Sequence, residues 1–503
     1  MSQRGNGGSR SSDGPAPLYQ RLPRGPHHLG REEVVRHQRL RMHGAMVEAV
    51  AASGYASVSV KQVIALAGVS RRVFYEQFAN KQECFLATFD LIAVRAIKRI
   101  GRAYRAGTGD LRQHMAGAFA ELINELATNA KGASLTIVEV QTVGALGLCH
   151  LRRTLKTFEQ MLASSFAHSP EAVELPTPIV RGIVGGVYEA VSLRLREGRA
   201  DELPGLTDEL VRWTLLFHTP SMPRMSVFLA ERACALSAEA EPVPLVLDLG
   251  HRIYGTRGSE ISPVAREGSW NGRNDRGEYD MPQQCRERLL RAVLDLTALG
   301  GYHELSAPQI FEAADVRGEV FFELFAGKEE CFLAAFEEIG YELLRTVADP
   351  DLVSAGWPCA VRRVIGELMG LLATKPVYAR MIAVEAPGAG PKALTQNFEL
   401  AYSIATLLTE GAPRKAHSQL APEGVAGAIW YTIGCQVESS QTHLLPTLAD
   451  YLTYMVLAPF IGPDAAAEVV INDQKPEERA SIAHTTAGDA CAPRFPASSG
   501  IGL

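Results

Sequence analysis

The sequence lacks the patterns that mark disulfide-rich, zinc-binding, secreted or membrane-spanning proteins. Its eight cysteines are scattered and form no C-x-x-C pair, which argues against a disulfide framework and a zinc ribbon. No uninterrupted apolar run reaches the roughly 18 residues of a membrane-spanning helix. The N-terminus has no apolar segment typical of a secretory signal. We therefore expect a reduced, cytoplasmic protein that does not associate with membranes.

Local signatures of the common enzyme classes are also missing. The chain has no G-x-x-x-x-G-K-[ST], H-E-x-x-H, G-x-S-x-G or complete G-x-G-x-x-G motif. We expect no enzyme activity, no cofactor and no metal site. The net charge at pH 7 is −6, which alone argues weakly against nucleic-acid binding. The distribution of charge along the chain is more informative than this total.

An internal repeat sets the domain organisation. The segment VFYEQFANKQECFLATF (73–89) recurs as VFFELFAGKEECFLAAF (320–336). Apolar residues upstream recur in the same register with spacing i, i+3, i+4, i+7, which is typical of one buried helix face. Helical periodicity runs through both copies, and strand alternation is nearly absent. We therefore predict an all-α chain that contains two copies of one unit.

The segment 31–89 divides into short helices at recognisable caps. Gly54 can adopt the left-handed conformation that ends a first helix, and Ser59 offers an N-cap to VKQVIALA. Gly68 can supply the positive φ of a tight turn, after which Ser70 caps RRVFYEQF. Two short helices joined by such a turn form a helix-turn-helix, whose second helix enters the major groove of DNA.

Composition places the boundaries between the predicted domains. In chain order, they are a disordered tail (1–28), a helix-turn-helix domain called the first head (29–90), a first helical domain (91–218), a linker (219–277), a degenerate second head (278–337), a second helical domain (338–463) and a disordered tail (464–503). Unit one denotes residues 29–218, and unit two denotes residues 278–463.

The first head combines an A-G-V-S turn, an F-Y-x-x-F core and a following N-K, and the pattern extends to GYHELSAPQIFEAADVRGEVFFELFAGKEECF in the second head. By these motifs the first head resembles the TetR family of transcriptional regulators. The remaining part of each unit matches only in helical character and length. The resemblance implies dimeric binding to double-stranded DNA and a helical domain that binds a ligand and forms the dimer. It also implies a sequence-specific regulator, expected to be a ligand-responsive repressor.

The first head supplies the candidate DNA contacts. Arg71 and Arg72 begin the recognition helix and can read guanine edges or hold phosphates, although they can also be read as solvated charges. By resemblance, Tyr75 lies where a tyrosine hydroxyl contacts a backbone phosphate. Arginines of the first helix are expected to add a basic approach surface. The complete predicted set is Ser59, Lys61, Ser70, Arg71, Arg72, Tyr75, Gln77 and Lys81.

The second head departs from this pattern at the positions that matter for DNA. Gly318 and Glu319 replace the two arginines, and Phe322 replaces the tyrosine. Residues 31–83 carry eight Lys or Arg and five Asp or Glu, whereas residues 278–330 carry five and eleven. Since neutralisation of phosphates dominates DNA affinity, we predict that the second head keeps the fold but does not bind DNA.

Ligand contacts are predicted in the helical domain of unit one, where a small apolar ligand is expected. The candidates are Phe119, Glu139, Thr142, Phe158 and Tyr188. For Glu139 and Thr142, a position at a buried helix junction is an equal alternative to a position in a ligand pocket.

Dimerisation is predicted, by resemblance, through the last two helices of each unit. These lie near Thr177–Glu197 and Leu206–Phe217 in unit one, and near Pro422–Ser440 and Leu448–Phe460 in unit two. A flexible linker of this length spans roughly 40 Å. We therefore predict an intrachain pseudo-dimer, with a homodimer of two chains as the alternative. The competing function is a ligand-binding or protein-interaction protein with little DNA binding.

Overall fold

Helices form almost every element in the part of the chain that the structure describes. This computed structural model describes residues 30–168, 174–219, 222–239, 282–353, 356–414 and 418–472. Within these ranges there is no strand, and the predicted all-α fold is confirmed. The predicted tail 1–28, most of the predicted linker and the chain beyond 472 lie outside the described residues.

The helices of the N-terminal half follow the predicted order. They are α1 (Arg31–Ser57), α2 (Val60–Ala67), α3 (Arg71–Tyr75), α4 (Lys81–Ala106), α5 (Leu111–Thr128), α6 (Ala130–Ile137), α7 (Ala145–Ala167), α8 (Thr177–Arg196), α9 (Thr207–Leu216) and α10 (Met222–Glu239). A 3-10 turn at Glu139–Val143 separates α6 from α7, and another at Ala200–Leu206 precedes α9.

The C-terminal half repeats this order with small differences. Its helices are α11 (Pro282–Gly300), α12 (Ala307–Ala313), α13 (Gly318–Leu324), α14 (Lys328–Val347), α15 (Trp357–Thr374), α16 (Pro376–Arg380), α17 (Ala386–Gly388), α18 (Pro391–Thr409), α19 (Ala421–Glu438), α20 (Ala449–Ile461) and α21 (Pro463–Ile471). A π-helical turn at Met381–Glu385 takes the place of the 3-10 turn before α7.

The helices of the first head begin at the predicted caps. The Ser59 hydroxyl accepts the N–H of Gln62, and the Gln62 side chain accepts the N–H of Ser59 at 2.7 Å, which completes a capping box. Ser70 caps α3 by accepting the N–H of Val73 at 3.2 Å. These local contacts fix where α2 and α3 start.

Positive backbone φ angles mark the predicted turns. Gly54, with φ 70°, interrupts α1 three residues before its end, and Gly68, with φ 60° and ψ 41°, makes the turn between α2 and α3. In the second head, Asp315 adopts φ 52° at the position equivalent to Gly68. Aspartate tolerates this left-handed conformation better than most side chains do, so the turn survives in both heads.

The buried apolar core of the first head continues into the helical domain of unit one through Leu135, Leu151 and Val184, and the core of the second head is likewise continuous with the helical domains. The largest fully buried side chains of the first head are Met42, Met46, Phe74, Phe78, Phe85 and Phe89. Cys84 and Cys331 are both inaccessible, and burial raises the pKa of each thiol to about 12. These two cysteines therefore pack as small apolar side chains.

The two units meet where α8 crosses α19. A Cβ atom on Gly185 would lie 2.5 Å from the carbonyl oxygen of Gly427, and a Cβ atom on Gly427 would in turn meet the carbonyl oxygen of Gly185. The two helix backbones therefore touch, and only glycine permits this approach. The contact is reciprocal, as in an interface with two-fold symmetry.

Charged and polar pairs flank this crossing. Arg194 of α8 meets Glu423 of α19 at 2.8 Å, and both side chains are largely buried. The Tyr431 hydroxyl of unit two donates to the Glu159 carboxylate of unit one at 2.5 Å. Because a buried charge that loses its partner is strongly destabilising, these pairs help to fix one register between α8 and α19.

Part of the predicted linker is helical. In α10, Met222, Met225 and Leu229 are buried, and the helix packs beside the 3-10 turn that precedes α20. Arg232 of α10 contacts the buried Asp450 at 2.5 Å. The predicted linker therefore contains a packed helix over this stretch. The apolar spacing of i, i+3 and i+7 was the signal that could have revealed the helix.

The predicted C-terminal tail also begins with a helix. Helix α21 buries Ala466, Ala467 and Val470, so ordered structure continues to residue 472. The preceding stretch Thr442–Ile461 has the length and hydropathy of a membrane-spanning helix. Most of it is buried among other helices of the fold, as expected for a core helix of a folded domain.

Candidate DNA interface and ligand cavity

An arginine of α1 holds the turn of the first helix-turn-helix. The Arg41 guanidinium donates to the carbonyl oxygens of Ala67 and of Gly68, the latter at 2.8 Å. Sequence analysis assigned the arginines of α1 to an approach surface for DNA, and it missed this structural role. The contact joins residues more than 25 positions apart, so no local pattern could have indicated it. Arg41 thereby fixes α2 and α3 relative to α1.

The start of α3 presents two cations to solvent. The Arg72 side chain is 87% exposed, and its Nε lies 2.8 Å from the Glu76 carboxylate. The Arg71 guanidinium lies 5.6 Å from the centre of the Tyr75 ring, and Tyr75 is itself 46% exposed. Exposed pairs of this kind are worth less than about 1 kcal/mol. Both arginines can therefore exchange these partners for DNA at little cost.

The other predicted residues at the helix starts are also exposed. Ser59 and Lys61 lie at the beginning of α2, and Ser70 precedes α3. Both serine hydroxyls accept backbone N–H groups, so their first role is to cap helices. Phosphate oxygens are commonly bound at helix N-termini by free N–H groups and the helix dipole. Lys61 adds a positive charge beside such a terminus.

Lys81 lies differently from the rest of the predicted set. Its ammonium donates to the carbonyl oxygens of Tyr55, Ala56 and Val58 at 3.1–3.2 Å. Burial lowers the pKa of the Lys81 ammonium. Lys328 makes the same kind of contact in the second head, which has lost most of the other candidate contacts. The geometry therefore favours a structural role for this lysine, in which it ties the end of α1 to the start of α4.

Gln77 is only partly accessible, and it lies beyond the end of α3, which is shorter than predicted. The helix ends at Tyr75 instead of continuing to Phe78. The Gln77 side-chain oxygen is buried and has no hydrogen-bond partner among the described residues.

The equivalent surface of the second head is acidic and apolar. Glu319 is 82% exposed and lies 3.6 Å from Arg317. Phe322, at the position of Tyr75, is 59% exposed. A phenyl ring and a carboxylate offer no hydrogen-bond donor to a phosphate. Glu319 and Phe322 therefore cannot make the phosphate contacts predicted for Arg72 and Tyr75 in the first head.

Glu139 joins the first head to the helical domain. Its carboxylate accepts the N–H of Tyr55 at 2.8 Å, and Thr142 donates to the Glu139 carbonyl oxygen. Neither residue lines the cavity described below, and both lie at the junction between the first head and the helical domain. The second head is joined in the same way, by Glu385 and the N–H of Tyr302 at 3.0 Å.

The helical domain of unit one encloses a cavity of about 540 Å³ between α4, α5, α7 and α8. Phe119, Phe158 and Tyr188 line it, as predicted, together with aliphatic side chains. The Tyr188 hydroxyl donates to the Ile137 carbonyl oxygen at 2.6 Å. The volume and apolar lining of the cavity are typical of a pocket for a small ligand.

One family model matches the chain. Residues 45–88 match the family described as bacterial regulatory proteins, tetR family. This range covers α2, α3 and the flanking parts of α1 and α4. The match supports a DNA-binding transcription regulator of the TetR family. Comparison with curated proteins gave no match.

Several solved structures are similar to about one third of the chain. The fatty acid degradation regulator FadR from Bacillus halodurans is 20% identical, covers 35% of this chain and 94% of its own, and gives a TM-score of 0.33. FadR from Bacillus subtilis, solved in complex with stearoyl-CoA, is 20% identical. It covers 35% of this chain and 96% of its own, with a TM-score of 0.32. A TetR-like transcriptional regulator from Rhodococcus sp. RHA1 is 19% identical. It covers 36% of this chain and 96% of its own, with a TM-score of 0.29.

Proposed function

We propose that this protein is a cytoplasmic, ligand-responsive transcriptional repressor in which only the first head reads DNA. The observation that carries the proposal is the exposed group Arg71, Arg72 and Tyr75 at the start of α3, within the segment that matches the tetR family model. The second head has the same helices but an acidic surface. Since DNA affinity depends mainly on phosphate neutralisation, the two heads differ in the property that matters most.

Ligand response is proposed to act through the Glu139 contact. The cavity is bordered by α6 through Ile137, and Glu139 follows directly in the chain. Its carboxylate holds the N–H of Tyr55, at the end of α1. A ligand that shifts α6 would therefore change the position of the first head relative to the helical domain. Such coupling needs a ligand that binds two arrangements with different affinity.

The second unit is proposed to serve as the dimerisation partner of the first. The predicted dimerisation helices correspond to α8 with α9 and α19 with α20. The reciprocal contact of Gly185 and Gly427 is of the kind found in symmetric interfaces. We therefore propose an intrachain pseudo-dimer, which leaves one competent head in each chain.

The test of this function is a pair of matched double variants. Arg71→Ala with Arg72→Ala is expected to abolish specific DNA binding, because a base contact is worth about 1–3 kcal/mol and a phosphate contact also contributes. Glu319→Ala with Glu323→Ala, on the second head, is the control and should leave binding nearly unchanged. Gly318 is left intact, because a Cβ there would lie 3.2 Å from the Phe311 ring.

Binding is measured by gel shift on an operator found by genome-wide footprinting. Equal losses from both double variants would contradict the claim that the second head is inert. Absence of any footprint, together with no retention on random duplex DNA at low salt, would favour the competing function of a ligand-binding or interaction protein.

A further inference from the structure

The cavity of unit one opens beside a row of cations. Lys98, Arg102 and Arg105 follow one another on α4 at i, i+4 and i+7, which places them on one face of the helix. All three are exposed. Arg105 lines the apolar cavity, and it also lines an adjoining hollow with Lys98 and Arg102. Gly101 and Met161 are shared by the cavity and the hollow, so the two spaces lie side by side.

The acidic residues of the neighbouring helix do not neutralise this row. Glu121 and Glu125 of α5 lie 2.7 Å and 2.6 Å from the guanidinium of Arg99, on another face of α4. No ion pair of the described residues involves Lys98, Arg102 or Arg105. The entrance to the cavity is therefore a site of positive charge.

The interior of the cavity has a different character. Its wall is formed mainly by aliphatic and aromatic side chains, among them Leu122, Phe158 and Met161. The wall also includes Thr214, which is fully buried and whose hydroxyl has no hydrogen-bond partner among the described residues. A buried hydroxyl of this kind is normally paired. The Thr214 hydroxyl is therefore a polar group in the cavity wall that a ligand can pair with.

Unit two does not keep this arrangement. At the positions equivalent to Lys98, Arg102 and Arg105, it has Arg345, Asp349 and Leu352. Arg345 lines a polar surface hollow that also contains two glutamates. Asp349 pairs with Arg363. The row of cations beside an apolar cavity is therefore a feature of unit one.

We propose that the cavity of unit one binds an amphipathic anion, with its apolar chain inside and its charged group at Lys98, Arg102 and Arg105. This inference rests on the proposed ligand response and specifies the chemical class of the ligand. The charged group can be a carboxylate or the phosphates of a larger acyl carrier, because both are negatively charged acceptors that Arg and Lys bind. The apolar lining selects the chain by burial of its surface.

The experiment compares three probes that share a twelve-carbon chain. Laurate, lauroyl-coenzyme A and dodecanol are titrated by calorimetry into the full-length protein at low salt and without DNA. At least one of the two anions is expected to bind at least tenfold more tightly than dodecanol, and the stronger of the two identifies the charged group. The preference should decrease with added salt, because exposed charges are screened over about 10 Å at 0.1 M.

The matched variants test the position of the charged group. Lys98→Gln with Arg102→Gln and Arg105→Gln should remove the preference for the anion and leave dodecanol binding unchanged, whereas Arg345→Gln should change neither. These side chains are exposed, so the fold is retained, which an unchanged melting temperature verifies. Equal affinity for all three probes, no binding of any probe, or a preference that survives in the triple variant would overturn the proposal. Gel shifts of the same samples separate this failure from failure of DNA binding.

Discussion

At the scale of single residues, the difference between the two heads depends on a few side chains on a shared framework. Gly68 and Asp315 make the same turn, and Lys81 and Lys328 hold the same kind of carbonyl cluster. What changes is the exposed surface of the recognition helix, where Tyr75 is replaced by Phe322. Framework residues are retained while contact residues diverge, so binding can be altered there without loss of the fold.

Tyr75 provides a direct test, because unit two already carries the substitution. Tyr75→Phe removes only a hydroxyl and is expected to weaken binding to every duplex by a similar factor. A hydrogen bond to a charged group is worth about 1.5–3 kcal/mol, and a phosphate contact carries no direct sequence information. Gel shifts on the operator and on unrelated duplexes measure both effects. A change in base preference with unchanged affinity would show that the role assigned to Tyr75 is wrong.

His43 makes the stability of the first head dependent on pH. Burial, reinforced by the nearby charges of Arg39 and Arg95, lowers the pKa of His43 from 6.5 to about 4. The ring is hydrogen-bonded to the Thr88 hydroxyl at 2.8 Å. Below pH 6.5 the unfolded chain takes up a proton that the folded head does not. The free energy of unfolding is therefore at its full value above pH 6.5, and it decreases progressively as the pH falls towards 4.

The expected loss of stability between pH 7.5 and pH 5 is about 2 kcal/mol from this residue. His43→Gln should remove that part of the pH dependence, because glutamine does not titrate. Urea unfolding of both proteins at the two pH values gives the comparison, in which each protein serves as its own reference. An identical pH dependence in the two proteins would mean that His43 does not titrate in this way.

At the scale of the helices, the contact between α8 and α19 depends on glycine. Gly185→Ala is expected to destabilise the protein, because its Cβ would lie 2.5 Å from a backbone oxygen of α19. Overpacking of this kind costs about 1–3 kcal/mol, which exceeds the roughly 1 kcal/mol that alanine gains over glycine in a helix. Gly370→Ala in α15 is the matched control, since no atom lies within 4 Å of its added Cβ.

The midpoint of urea unfolding distinguishes the two substitutions. It should fall for Gly185→Ala and rise or stay constant for Gly370→Ala. If both variants became more stable, the two helix backbones would not approach as closely as the structure indicates.

At the scale of helices, some contacts could be predicted from the sequence and others could not. Caps at Ser59 and Ser70 and the turn at Gly68 were predictable, because each depends on contacts within a few residues. The contact of Glu139 with the Tyr55 N–H could not be predicted, because it joins residues 84 positions apart. Phe119, Phe158 and Tyr188, which were proposed from the aromatic and aliphatic content of the helical domain, line the cavity. The cations of α4 were visible at helical spacing, but only the fold shows that they border a cavity.

At the scale of the whole molecule, unequal heads on a paired framework constrain how the protein meets DNA. A regulator with two equal heads binds two half-sites about one helical turn apart. Here the segment of the first head, residues 31–83, carries a net charge of +3, and the matching segment 278–330 carries −6. If α8 and α19 pair within the chain, each chain presents one basic head and one acidic head.

We therefore predict that the free protein has the mass of one chain, 54.4 kDa, and protects an asymmetric DNA site. A half-site bound by one head gives limited affinity, so a strong operator should recruit a second chain and show two steps in a gel shift. Light scattering of the free protein and footprinting of the operator measure these two properties. The tethered partner is favoured because a linker raises its effective concentration, above that of free chains in a cell. A stable dimer of two chains, in which unit one pairs only with unit one on a palindromic site, would contradict the prediction.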